Sequence, residues 1–170
     1  MLSTNEKGAL AEAAIIKAAT LARVGVLLPL SVERYDLILD LRPKLVRVQC
    51  KWASVHDDVV VVRCATSRRT LSGHQHTTYS RREIDAFAAY SIDLDRCFLL
   101  PIDQFAGRRA IQLRLRPSRN NQNVGINWAD DFAFAATLAR LGAVAQLGER
   151  QRGTLEATGS SPVGSTLAPG

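Results

Sequence analysis

Residues 35–53 place the tightest constraint on this 170-residue chain: two runs that alternate apolar and polar side chains, joined by a turn. In Tyr35–Leu41, Asp36, Ile38 and Asp40 fall on one face and Leu37, Leu39 and Leu41 on the other. Arg42-Pro43-Lys44 forms the turn. In Leu45–Ala53, Arg47, Gln49 and Lys51 share one face while Val46, Val48, Cys50 and Trp52 share the other. A period of two belongs to β-strands, so this is a hairpin with one face to bury. If Leu41 and Lys44 close the turn, Asp36 comes opposite Gln49, with Lys51 one step further on the same face. An acid and a lysine across a hairpin ordinarily form a solvated cross-strand pair. Lys51 departs from that pattern, because Cys50 and Trp52 flank it in an apolar strand, where an uncompensated charge is costly.

The elements around the hairpin follow from caps and periodicity. Ser3-Thr4-Asn5-Glu6 is a capping box opening a helix over about residues 4–23. Leu10, Ala14, Lys17/Ala18 and Leu21 follow the helical period, Glu12 lies off the middle of that stripe, and Gly25 ends the helix. Val26–Leu28 is a short extended piece. Val59–Cys64 is solidly apolar and is expected as a buried third strand, and Ser67–Thr78 as a polar, basic loop. Ser80-Arg81-Arg82-Glu83 reads as a second capping box opening a helix to about Tyr90. Strands are expected at Arg96–Leu100 and Ala110–Leu115, then a polar turn at Pro117–Asn123 and a helix over Trp128–Arg140. The sum is an α/β fold with a mixed central sheet flanked by helices.

Bulk properties exclude several classes. With 46% hydrophobic residues in 170, one globular domain can bury a core. No apolar run is long enough to span a bilayer, so no membrane partner is expected. The first residues show no secretory pattern, which points to the interior of a bacterial cell, the cytoplasm. Cys50, Cys64 and Cys97 are scattered and odd in number, and no C-x-x-C pair offers a zinc site. The net charge of +6 and pI near 9.7 suit a polyanionic partner. Codon usage in a GC-rich genome inflates arginine in the same way.

From Val144 the composition turns to Gly, Ser, Thr, Ala and Pro without any period. Val144–Arg150 back-translates as GTA GCT CAG TTG GGA GAG CG, a tRNA D-arm, and Gly159–Pro162 as GGT TCG AGT CC, the T-arm consensus. The nine codons Gln151–Gly159 supply the spacing a tRNA with a short variable loop needs between them. The expected division is a folded domain over residues 1–141 and an unstructured, tRNA-gene-derived tail over 142–170.

Tyr35-Asp36 followed by Gln49-Cys50-Lys51, behind a helix bearing Glu12, resembles the PD-(D/E)XK nuclease core. More narrowly, the chain is similar to the group I intron-associated homing endonucleases of that superfamily, over about residues 4–133. The likeness includes Asn5-Glu6-Lys7-Gly8, Arg47-Val48-Gln49-Cys50-Lys51, Leu100-Pro101, the Arg114–Arg116 strand with Asn120-Asn121-Gln122, and Trp128-Ala129. Two positions depart from the superfamily pattern: Tyr35 stands for the proline and Gln49 for the second acid. The intron-associated branch also carries Gln there. The resemblance implies a restriction-endonuclease-like core and a Mg²⁺-dependent endonuclease. In it Asp36, Gln49 and Glu12 hold the metal and Lys51 orients the attacking water, completing the catalytic set. It also implies double-stranded DNA as partner and a homo-oligomer, a dimer or tetramer.

Candidate DNA contacts are Arg42 and Lys44 at the hairpin turn, Arg68 and Arg69, and the donor-rich group Arg119, Asn120, Asn121 and Gln122. Each taken singly also fits a solvated surface group. A structure-specific, Holliday-junction-like nuclease shares the same core. A DNA-binding module that has lost cleavage is the other alternative, and Gln49 is its motive.

Overall fold

The computed structural model describes residues 2–70, 73–117 and 125–143. Helix α1 (Thr4–Leu21) begins as its capping box dictates: Glu6 N–H donates to Ser3 Oγ at 3.3 Å and the Ser3 N–H donates to the Glu6 carboxylate at 2.7 Å. Its buried residues are Ala11, Ile15 and Ala19, one position round from the expected stripe, while Leu10 and Leu21 are exposed. Small residues a turn either side of Ile15 let the helix lie close against the sheet, so backbone proximity outweighs the larger leucines.

The sheet is built around one long strand. β1 (Gly25–Leu27), β2 (Leu37–Asp40) and β3 (Leu45–His56) run antiparallel in succession. The β2–β3 register pairs Leu37 with Val48 and Asp40 with Leu45, and Leu41 N–H donates to the Lys44 carbonyl across the turn. β4 (Val59–Arg63) folds back on the far end of β3, pairing Ala53 with Val62 and His56 with Val59. β5 (Thr66–Thr70) and β6 (Gly73–Thr77) form a separate hairpin. β7 (Ala86–Ser91) lies parallel to β3, from Val48 beside Ala86 to Trp52 beside Tyr90, and β8 (Arg96–Pro101) returns antiparallel to β7. A short helix α2 (Ile102–Phe105) leads to β9 (Ala110–Arg114) at the edge of β4. The chain then makes a 3₁₀ turn at Ala129–Phe132 and a helix α3 over 134–143.

Two cores result, one on each side of β7. Val46, Val48, Leu37, Leu39, Ala86, Ala88 and Leu99 pack with Ile15 of α1 and with Phe134 and Leu138 of α3. Val60, Val62, Phe87, Ala89, Phe98, Leu100 and Leu113 pack with Phe105 and Phe132. The expected α/β class with a mixed sheet therefore holds.

Several local expectations are corrected. The stretch expected as a loop at 67–78 is the β5–β6 hairpin, where antiparallel pairing from Thr66–Thr77 to Thr70–Gly73 lets the two backbones satisfy one another. The helix expected from Ser80 lasts a single turn: Ser80 N–H and Oγ–H both donate to the Glu83 carboxylate at 2.8 Å, and β7 follows at once. Ala86–Ala89 favour helix in isolation, but they lie between the two cores, where small and apolar side chains on both faces suit a central parallel strand. β4 alternates, with Val60 and Val62 buried and Val59 and Val61 half-buried, since only one of its faces meets a core. The last helix is split at Ala133, which bridges to Phe98.

Candidate active site

The site lies where β3 changes partners. Its first residues, Leu45–Val48, pair with β2 and its last, Ala53–His56, with β4, so between Gln49 and Trp52 the described ladders lie along β7 alone. Asp36, just before β2, fills the opening. Its N–H donates to the Val48 carbonyl at 2.9 Å, and its carboxylate Oδ2 accepts from the Cys50 N–H at 2.7 Å and from the Gln49 side-chain amide. A side chain thus takes the place of a neighbouring strand, and the Gln49 Oε1, which does not donate, is left as an oxygen donor.

The electrostatics of this opening are unusual. Asp36 is half-buried, and burial raises its proton affinity above that of an ordinary aspartate, against the Cys50 and Gln49 hydrogen bonds and the charge of Lys51. Glu12, on the exposed side of α1, is shifted upward first by burial and then by the charge of Asp36. Lys51 is shifted downward by burial, with Asp36 opposing. Its ammonium sits 5.1 Å from the centre of the Tyr79 ring. Cys50, next to both ligand candidates, is a buried thiol held well above its usual range by burial first and by Asp36 and Glu12 second.

These residues fit a hard divalent cation. Asp36, Glu12 and Gln49 offer oxygen donors only. Asp36 raises the proton affinity of Glu12 through its charge, a like-charge strain that a bound cation would relax. Among the described residues no three His, Cys, Asp or Glu side chains gather anywhere, and the Gln49 amide oxygen is a neutral donor beside the two carboxylates.

The structure brings together Asp36, Gln49, Lys51 and Glu12 but not every candidate for DNA contact. Arg42 and Lys44 stand exposed at the hairpin turn, Arg42 with Asp40 at 3.5 Å. Arg68 and Arg69 lie on β5, opposite Gln75 and His74. Arg119, Asn120, Asn121 and Gln122 lie outside the described residues, as does 144–170. Two further neighbours of the site have no motif of their own in the sequence. Tyr79 is buried beside Lys51, and Arg34 stacks on the same ring at 4.0 Å while its Nε donates to Glu83 at 2.8 Å. The capping-box glutamate is the one sequence signal that touches them, and on local pattern it signals only a helix start.

A family model described as PD-(D/E)XK endonuclease matches residues 2–135. The chain belongs to that family. The bacterial homing endonuclease I-Ssp6803I is similar in structure, with a TM-score of 0.70 and 27% identity, covering 85% of this chain and 98% of that one. No curated protein matches the sequence. Membership makes this an enzyme, a DNA endonuclease with a restriction-endonuclease-like core.

Proposed function

We propose that the protein is a Mg²⁺-dependent endonuclease that hydrolyses phosphodiester bonds of double-stranded DNA at a specific site, a homing-type enzyme. The observation that carries this is the Asp36 carboxylate, held in a strand gap by the Cys50 N–H and the Gln49 amide with Glu12 and Lys51 alongside. Asp36, the Gln49 carbonyl oxygen and Glu12 would hold the metal. When bound, it supplies Lewis-acid polarisation of the scissile phosphate and acidifies the attacking water. Cys50 N–H and the Gln49 amide hold Asp36 in one orientation, so its position costs no reorganisation during reaction. Lys51, half-buried against Tyr79, orients the water and donates to the phosphoryl oxygens as charge builds on them.

The homing reading is supported by the likeness to a bacterial homing endonuclease and by the tRNA-like coding of 144–170, which suits a mobile or intron-borne gene. On this reading residues 1–141 form the nuclease domain, 142–170 are a tail, and the protein works inside the bacterial cell. One chain carries one such site, so cutting both strands calls for a dimer or tetramer. Arg42, Lys44, Arg68, Arg69, Arg119, Asn120, Asn121 and Gln122 remain the proposed DNA contacts.

The test is cleavage of duplex DNA spanning the adjoining tRNA gene, with Mg²⁺ or with EDTA. Wild type should cut with Mg²⁺ alone, while Asp36→Ala and Lys51→Ala should not. A wild type as inert as the variants, yet still binding the duplex, would instead establish the binding-module reading that Gln49 motivates. Preference for a four-way junction over linear duplex would move the activity to junction resolution.

A further inference from the structure

Beyond the metal-binding carboxylates, the opening in β3 is bordered by a second cation that the hydrolytic scheme does not use. Arg34 lies two residues before Asp36, at the end of the exposed loop that follows β1. Its guanidinium lies 4.0 Å over the Tyr79 ring, and Lys51 Nζ is 5.1 Å from the centre of that same ring. Tyr79 is itself fixed: it is 3% exposed and packs edge-on against Phe87 with centroids 5.4 Å apart. Two positive charges are therefore held against one buried ring beside the site.

We propose that Arg34 and Lys51, gathered on the Tyr79 ring, form a two-cation subsite that grips a backbone phosphodiester of the bound DNA strand, Lys51 from the buried side and Arg34 from the solvent side. The inference rests on the reading of the chain as a DNA endonuclease. The guanidinium is pre-oriented by Nε donating to Glu83 at 2.8 Å and by Nη2 donating to the Thr78 carbonyl at 3.2 Å. Nη1 meets no protein acceptor among the described residues, and 38% of the side chain is exposed, so a donor edge faces outward. Glu83, held also by the Ser80 N–H and hydroxyl, offsets one of the two charges through its ion pair with Arg34, so the Arg34–Lys51–Glu83 group keeps one net positive charge. A planar donor fork held by stacking is the arrangement that suits a phosphate. Arg34 is a binding residue in this scheme, and Tyr79 a positioning residue that acts through both cations.

The competing role for Arg34 is a brace, tying the loop before Asp36 to the 78–83 turn. The two separate in the salt dependence of binding to a short fluorescein-labelled duplex in EDTA, measured first for wild type. Arg34→Gln should lower the slope of log K against log salt by about 0.9, one phosphate's worth. It should also slow single-turnover cleavage with Mg²⁺ by about tenfold or more. Arg34→Lys should restore most of the slope. Glu83→Gln, which removes the ion pair of the brace and leaves the guanidinium on its ring and on the Thr78 carbonyl, should keep the wild-type slope. An Arg34→Gln protein with the wild-type slope, or a Glu83→Gln protein that loses as much slope as Arg34→Gln, would overturn the proposal and leave the endonuclease reading standing. A wild type that neither binds nor cuts duplex would overturn both.

Discussion

Two carboxylates meet β3 on its polar face, and they are treated in opposite ways. Asp85 is closed off: its Oδ2 accepts from the Arg47 N–H at 2.8 Å and Nε at 3.0 Å, and its Oδ1 from Nη2 at 3.1 Å. Burial works to raise its proton affinity, but the bonds to Arg47 and the charges of Arg47 and Lys44 prevail and hold it below the usual aspartate range. Asp36, on the other edge of the strand, is oriented by an amide and a backbone N–H and has no ion pair among the described residues; burial prevails and its proton affinity rises. A carboxylate matched by a guanidinium is a structural fastening. One that is oriented but left short of positive charge is available to a cation, the role proposed for Asp36.

That contrast can be broken or sharpened by substitution. Asp36→Asn should show the largest effect, about a thousandfold loss of cleavage, or about 4 kcal/mol of transition-state stabilisation. It should leave the metal-free melting temperature equal or higher, because a costly buried charge is removed, and should abolish any rise in melting temperature on adding Mg²⁺. Loss of folding in Asp36→Asn without loss of cleavage per folded molecule would reverse the assignment of the two acids.

Asp85→Asn should behave the other way, costing about 1.5–3 kcal/mol of stability with little change in cleavage per folded molecule. Its pH signature has a definite sign. A group with a depressed folded-state pKa contributes stability that is present above its unfolded value, about 3.9, and is lost as pH falls through the folded value. Thermal melts should therefore show wild type losing stability below about pH 4 more steeply than Asp85→Asn.

Gln49→Glu tests how far the Asp36 opening depends on a neutral amide. A third carboxylate should lower the Mg²⁺ concentration needed for half-maximal cleavage while reducing metal-free stability, since like charges then crowd Asp36. Titrating cleavage against Mg²⁺ decides it; an unchanged midpoint would remove residue 49 from the metal site. Lys44→Ala should have the smallest effect. Lys44 acts on Asp85 only through its charge from an exposed turn, so its melting temperature should fall less than that of Asp85→Asn.

The hairpin and its shared polar face are legible in residues 35–53 alone, while the register follows only if Leu41 and Lys44 close the turn, as they do. Asp36, Gln49 and Lys51 are legible with it, since they ride on that register, and Glu12 comes with the family likeness. The helix expected at 80–90 fails because Ala-rich segments carry a local preference but no information about burial on both faces. Arg34 and Tyr79 escape because 44 intervening residues separate two positions that meet only when β7 returns beside β3. Local pattern thus set the strand pairing and the acid–amide–lysine face, through steric rules that act over a few residues. Long-range packing alone settled that β3 would change partners at Gln49–Trp52, that Asp85 would be neutralised by Arg47, and that Asp36 would face an opening. Those outcomes depend on which segments compete for one strand's edges, and that competition is resolved only when the whole sheet assembles.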